Sequence, residues 1–240
     1  MEVPAHTHTA RKKWTHYFWE FLMLFLAVFC GFLAEYQLEH KIEKERGREY
    51  IRSFYEDLKS DTASFTGYIN KYEIKLAALK KAGSCYDSLS LQKKEFNPCI
   101  ADLIYHASGF PDLVTEDRTL IQLKNAGGLR LLKKADSDSI LSYDRLLRNY
   151  IKGETTGFQE TQYRLRDVIA SLTNYANLKI IADTGSVPFL YTDNPDLVNR
   201  FFVLLQSHRV ASRHNNESLK ELKQKATILI EYFRDKYHFQ

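Results

Sequence analysis

The sequence predicts an all-α protein in which one N-terminal transmembrane helix continues into a soluble antiparallel helical bundle with long helices. Three observations predict this class. An uncharged apolar run lies near the N-terminus, and the segment after it repeats apolar residues with a period of 3.5 over four heptads. The chain of 240 residues also has only ten glycines and five prolines. Because glycine and proline interrupt helices, their scarcity favours long ones.

The apolar run, residues 21–34, carries no charge, and extending it to residues 17–36 gives twenty residues. A helix of that length is about 30 Å long, which matches the hydrocarbon core of a bilayer. Aromatic side chains flank the run as in an interfacial belt, and carboxylates mark its ends. The predicted anchor residues are Trp14, Tyr17, Trp19, Glu20, Glu35 and Tyr36. A buried core helix is disfavoured because the run is apolar on all sides.

The basic residues before the run resemble a secretory signal, but no small-x-small cleavage site follows it, so we expect a retained signal anchor. Five bases follow the run, at Lys41, Lys44, Arg46, Arg48 and Arg52. The positive-inside rule alone therefore does not fix the orientation. The usual signal-anchor layout favours a short basic cytoplasmic tail at 1–16, a transmembrane helix at 17–36 and a soluble domain at 37–240. This layout places the domain on the side of the membrane that faces away from the cytoplasm.

The soluble domain is predicted to contain a first long helix at 37–82, short helices within 98–134, a long helix at 136–180 and a C-terminal helix or helix pair at 194–238. Thr115 is the expected N-cap of one short helix, and Asp136 or Ser137 that of the second long helix. In the helix-pair alternative, Asn215 and Asn216 mark the break. Loops are expected at 87–98 and 183–193, the second with a short extended pair.

The first long helix carries the apolar seam of period 3.5. The seam consists of Ile51, Tyr55, Leu58, Thr62, Phe65, Ile69, Tyr72, Leu76 and Leu79. Such spacing is typical of a parallel coiled-coil dimer and equally of one helix in an intramolecular bundle. We favour the bundle because a long chain remains to be packed against this seam.

Cys85 and Cys99 lie fourteen residues apart in the soluble part and belong to no CxxC pair. In an oxidising compartment they can form a disulfide, whereas in a cytosol they would stay reduced as two small side chains. Glu20 enters the membrane segment at its end. A solvated carboxylate there is preferred over a pair with a partner helix.

Two blocks of the sequence resemble a known family. The first is Glu20, the apolar run to Glu35, a charged stretch and then Tyr50-Ile51, Leu58 and Asp61; the second is residues 119–132 with residues 140–150 after it. Together they are similar to the bacterial family known as domain of unknown function 6090, over most of this chain. The resemblance implies a single-pass bacterial membrane protein with a helical domain. With the layout above, it implies that this domain lies on the periplasmic side of the inner membrane. It implies no known activity and no catalytic residues.

The net charge of +4 is small, and acids and bases alternate along the chain, which argues against nucleic-acid binding. The sequence contains no phosphate-binding loop and no common catalytic or metal motif, so we expect no cofactor and favour a protein that is not an enzyme. The leading hypothesis is an envelope interaction or scaffolding module. It would bind the bilayer and a protein partner or a second copy. The alternatives are a sensory input subunit acting through a partner and an envelope enzyme with an unrecognised site.

Overall fold

The structure is a computed structural model that describes residues 14–89, 98–109, 113–173, 192 and 194–240. Every regular element in these residues is helical, which confirms the all-α class. The helices are α1 (Trp14–Leu79), α2 (Ala82–Asp87), α3 (Pro98–Ser108), α4 (Arg118–Asn125), α5 (Lys134–Gly153), α6 (Gln159–Leu172) and α7 (Pro195–Tyr237). A 3-10 turn, Gly128–Leu131, precedes α5, and a π-helical turn, Glu154–Phe158, joins α5 to α6.

Three long helical elements form the bundle: α1, the continuous α5–α6 element and α7. At one end, Phe54 of α1 contacts Phe233 of α7, with ring centroids 6.1 Å apart. At the other end, Leu79 of α1 shares a buried cluster with Phe201 of α7. The helix α7 therefore runs antiparallel to α1. We call the end at Phe54 and Phe233 the base and the opposite end the tip.

The two halves of α1 differ in burial. Residues 14–46 lie outside the bundle, and nearly all of them are exposed. From Gly47 onward, one face of α1 is buried, and the seam of period 3.5 lies on that face. The predicted bundle is confirmed because the seam packs against helices of the same chain. By a rise of 1.5 Å per residue, α1 is about 100 Å long.

The bundle contains two buried apolar clusters. The larger one lies towards the base and joins α1, α4, α5 and α7 around residues such as Phe54, Phe65, Leu147 and Phe233. The second lies at the tip, where the short helices α2 and α3 pack against α6 and α7. Burial of these side chains supplies the main driving force for packing the long helices.

A buried carboxylate ties the base together. Asp136, in the first turn of α5, is fully buried and accepts hydrogen bonds from the hydroxyls of Tyr232 (2.7 Å) and Tyr237 (2.6 Å) and from Lys236 Nζ (2.5 Å). Burial alone would raise the pKa of Asp136. The hydrogen bonds outweigh this effect, so the pKa of Asp136 lies below its usual value. Arg48 of α1 donates to the backbone carbonyl of Tyr237 (3.1 Å). The last turns of α7 are thus tied to both α1 and α5.

The start of α5 differs from the prediction. The helix begins at Lys134, and its N-cap, Lys133, makes no capping hydrogen bond through its side chain. Neither expected cap is used: Asp136 binds the end of α7, and Ser137 Oγ donates to the carbonyl of Leu129 (2.9 Å). Both predicted caps were wrong. Asp136 does not cap α5 because Lys236 and the hydroxyls of Tyr232 and Tyr237, about a hundred residues away, bind its carboxylate.

Other helix boundaries also differ from the prediction. Helix α4 begins at Arg118 rather than after Thr115, because the backbone N–H of Glu116 donates to buried Asp61 (2.8 Å). Helix α7 is unbroken through Asn215 and Asn216, so of the two predicted alternatives the structure has the single helix. Helix α1 ends at Leu79, and α6 ends at Leu172. The predicted continuation over 174–180 and most of both predicted loops lie outside the described residues.

Gly47 sits where the base closes on α1. A Cβ atom added there would lie 2.7 Å from the backbone oxygen of Leu131. A Cβ added at Gly67, also on α1, would meet nothing within 4 Å. Close approach of the 3-10 turn therefore requires glycine at position 47 but not at 67.

We expect Gly47→Ala to destabilise the bundle by about 1–3 kcal/mol, because backbone must move to admit the methyl group. The matched variant Gly67→Ala should be neutral or more stable by up to about 1 kcal/mol, because alanine favours helix. Urea unfolding of the full chain in mild detergent, followed by near-ultraviolet circular dichroism, measures both. Equal stability of the two variants would show that the turn does not close on Gly47.

Candidate functional site

Between the two apolar clusters the bundle buries a band of polar side chains, which we call the polar layer. Its members are Tyr72, Lys75, Tyr150, Glu154, Gln162, His208, Ser212, Asn215 and Asn216, and none is more than 7% exposed. Burying polar groups is costly unless they are satisfied by partners. A layer of this size in the middle of an apolar bundle is therefore the strongest candidate for a functional site in the described residues.

The π-helical turn lies in this layer. It inserts between Gly153 and Gln159 and turns both Glu154 and Phe158 into the interior. The hydroxyls of Thr155 and Thr156 donate back to carbonyls of the preceding turn, which supports the widened backbone. Such turns often occur at functional sites. Here the turn places the Phe158 ring at the centre of the layer.

Lys75 of α1 lies against that ring. Its Nζ atom is 4.9 Å from the centroid of Phe158 and donates a hydrogen bond to the backbone carbonyl of Gly109 (2.9 Å). Gly109 directly follows α3. The lysine thus spans from the core helix α1 to the end of a short covering helix.

Two further donors reach the same end of α3. Gln162 Nε2 donates to the carbonyl of Ser108 (3.2 Å), and Arg166 donates to the same oxygen (3.3 Å). The carboxyl end of a helix carries partial negative charge and free carbonyls. The side chains of Lys75, Gln162 and Arg166 together hold α3 over the polar layer.

Charge in the layer is strongly affected by burial. Burial, helped by the nearby charge of Arg166, lowers the pKa of Lys75 to about 7. Burial, helped by the charge of Lys75, lowers the pKa of His208 to about 3, and the His208 Nδ1 atom lies 3.2 Å from Thr161 Oγ1. His208 is therefore neutral at physiological pH, and Lys75 is the group whose charge changes near neutrality.

The tyrosines on the base side of the layer stay protonated. Burial raises the pKa of both Tyr72 and Tyr150 above the usual value. Asn215 lies close enough to the Tyr72 hydroxyl to act against this rise in the pKa of Tyr72, although the two do not meet in good hydrogen-bond geometry. Gln162 Oε1 and His208 Nε2 are also buried without a hydrogen bond within the described residues. Such incomplete satisfaction makes this part of the core less stable than an apolar one.

The cysteines and anchor residues that the sequence predicted as sites lie outside the polar layer. Cys85 of α2 and Cys99 of α3 are bonded as a disulfide, with Cα atoms 5.7 Å apart, at the tip of the bundle. The six anchor residues all lie on the exposed half of α1. Glu20 pairs with His16 at 3.1 Å on the same helix. The structure therefore separates the anchor, the polar layer and the disulfide along the length of the molecule.

The sequence analysis missed the polar layer. Lys75 and His208 are single polar residues within long apolar patterns, and neither belongs to a recognised motif. One signal could have found them: both occupy inward positions, Lys75 between Tyr72 and Leu79, and His208 after Phe201 and Leu205. Among the described residues, no group of three His, Cys, Asp or Glu side chains is placed to hold a metal ion.

In the part of the chain that the structure describes, α1 holds the one helical stretch that is long and apolar enough to cross a membrane, and none of that stretch is buried. The chain matches no protein-family model, no curated protein and no solved structure. Its resemblance to the uncharacterised bacterial family stays a prediction.

We expect the bundle to become more stable as pH rises from about 7 to about 9.5, because the unfolded chain then holds a proton on Lys75 that the folded chain has released. The Lys75 contribution over this window should be on the order of 2 kcal/mol. Lys75→Met should remove this rise, and Lys80→Met, at an exposed position of the following turn, should keep it. Urea unfolding at both pH values measures the change. A rise that persists in Lys75→Met would assign it to another group.

Proposed function

We propose that this chain is a single-pass protein of the bacterial inner membrane, whose bundle is a non-catalytic interaction or scaffolding module of the envelope. One observation carries the proposal. Helix α1 is uninterrupted from Trp14 to Leu79, with an apolar exposed half and a half that forms part of the bundle core. The proposed membrane anchor and the domain are therefore one stiff element. The family resemblance, a single-pass helical protein, supports the same proposal.

The geometry of the polar layer supports a role other than catalysis. Lys75, the group with a pKa near neutrality, is 6% exposed and donates a hydrogen bond to the carbonyl of Gly109. His208 is fully buried. A catalytic base or nucleophile must reach a substrate atom. These two side chains instead hold helices of the bundle together.

A partner is expected along the exposed half of α1 outside the proposed membrane segment. Residues 37–46 form about three helical turns there, and all of them except Glu43 are exposed. Leu38 and Ile42, one turn apart on one face, remain 59% and 39% exposed. Isolated helices gain little stability in water without packing. We propose that a protein partner, or a second copy of the chain, covers this face.

The proposed orientation has the N-terminus in the cytoplasm and the bundle in the periplasm. The Cys85–Cys99 disulfide supports it, because disulfides persist in the periplasm and are rare in the cytosol. A reporter fused after Gln240 that is active only in the cytoplasm would contradict this orientation.

A sensory input subunit acting through a partner is the second candidate. The observation in its favour is that Lys75, whose charge changes near neutral pH, lies on the same helix as the proposed anchor. A change in the polar layer would thus act directly on α1. The enzyme hypothesis has no specific observation in its favour among the described residues.

Photo-crosslinking in intact membranes tests the interaction proposal. We expect a crosslinker at position 38 or 42 to give one recurring product, either a dimer of this chain or a complex with one partner. The same group at His40 or Lys44, on the opposite face of the helix, is the matched control and should give far less. If none of the four positions gives a recurring product, or all four give the same weak background, the interaction proposal is wrong.

A further inference from the structure

Residues 126–135 comprise the segment between α4 and α5 and the first two residues of α5. They carry three bases and no acid, and we call them the basic loop. Its bases, Arg130, Lys133 and Lys134, are all exposed. Within the described part of the chain, none of the three has a carboxylate within ion-pair distance, whereas other bases such as Lys124 and Lys236 are paired. The basic loop therefore presents three exposed bases that form no ion pair within the described residues.

The backbone of the basic loop is held firmly against α1. Gly127 adopts a left-handed conformation (φ +66°), and a Cβ added at Gly128 would lie 3.3 Å from the ring of Tyr50. The backbone oxygen of Leu131 lies against Gly47. Leu129 and Leu132 pack on the larger apolar cluster. The loop thus turns its leucines inward and its bases outward. Its contact with Gly47 fixes its position along the axis of α1.

This position along α1 places the loop close to the proposed bilayer. Gly47 is eleven residues beyond Tyr36, the predicted end of the membrane segment, which corresponds to about 16 Å of helix. The headgroup layer occupies about 5–7 Å of this distance. The remaining gap of about 10 Å is close to the Debye length at physiological salt and is shortened further by the reach of the lysine side chains.

The stretch of α1 that leads from the proposed membrane segment to the base does not carry a comparable charge. Along residues 37–46 of α1, three bases (Lys41, Lys44 and Arg46) alternate with three acids (Glu39, Glu43 and Glu45). Helix α5 starts at the basic loop and runs away from the base, so the loop forms the end of the bundle that is nearest the proposed membrane. Both the position and the sign of its charge are complementary to an anionic lipid surface.

We propose that the basic loop docks on the anionic headgroups of the bilayer that α1 crosses, and that this contact orients the bundle on the membrane. The inference rests on the proposed membrane anchor and adds a second, reversible contact to it. It holds for either orientation of the chain, provided that the leaflet on the side of the bundle contains anionic lipid. Attraction of this kind is weakened by salt and requires no specific headgroup structure.

The test uses the full chain in lipid nanodiscs, with Cys30→Ser and a fluorophore at position 135, beside the three bases. A quencher attached to lipid headgroups reports how near the loop lies to the surface. Nanodiscs of phosphatidylcholine alone are compared with nanodiscs of phosphatidylcholine and phosphatidylglycerol. The loop variant carries Arg130→Gln, Lys133→Gln and Lys134→Gln. The matched control carries Lys80→Gln, Arg200→Gln and Arg213→Gln, which remove the same charge near the tip and on the outer surface of α7.

With phosphatidylglycerol present, we expect the quenching of the wild type and of the control to exceed that of the loop variant by about two-fold or more. High salt, or phosphatidylcholine alone, should bring the wild type to the level of the loop variant. Equal quenching of wild type and loop variant in the anionic nanodiscs would overturn the docking. Incorporation into nanodiscs is measured separately by co-purification. A chain that fails to incorporate contradicts the membrane anchor itself, and with it the docking that depends on the anchor.

Discussion

The antiparallel packing of α7 against α1 is the interaction on which the rest of the structure depends. It begins at the base, where Phe233 meets Phe54, and ends at the tip, where Phe201 and Leu79 share one cluster. This packing buries the seam of α1 and leaves the helix free to extend beyond the bundle as a single rod. The buried Asp136 then fixes α5 to the end of α7, so the third long element is aligned with the other two.

The polar layer interrupts this apolar packing near its middle and makes it sensitive to charge. An apolar replacement of the same volume would often be as stable or more stable. The layer instead joins three long helices and α3 through a lysine that loses its proton near pH 7 and a histidine that stays neutral. The π-helical turn belongs to the same region, since it brings Phe158 between the lysine and the histidine. Proton binding and helix packing are therefore coupled at one level of the bundle.

Features set by local pattern were predictable, and features set by distant partners were not. The seam of α1 followed from its period of 3.5, and its continuity with the apolar run followed from the absence of proline. Asp136 binds Lys236, a hundred residues away. Because nothing near Asp136 in the sequence indicates this partner, the local pattern predicted a helix cap instead. Asn215 and Asn216 suggested a break in the C-terminal helix because asparagine favours turns. Their burial in the polar layer outweighs that preference, and the helix continues. Lys75 belongs to no motif, and its one signal was an inward position, because its contacts with Gly109 and Phe158 come from distant parts of the chain.

The central claim is that one rigid helix joins the proposed membrane segment to the bundle core. The distance between spin labels at Val28 and Gly67, two exposed or open positions of α1, measures this directly in lipid nanodiscs with Cys30 replaced by serine. Thirty-nine residues of continuous helix predict a single narrow distribution centred at about 58 Å. A broad distribution, or one centred well below that value, would reveal a hinge between the membrane segment and the base and would contradict the account.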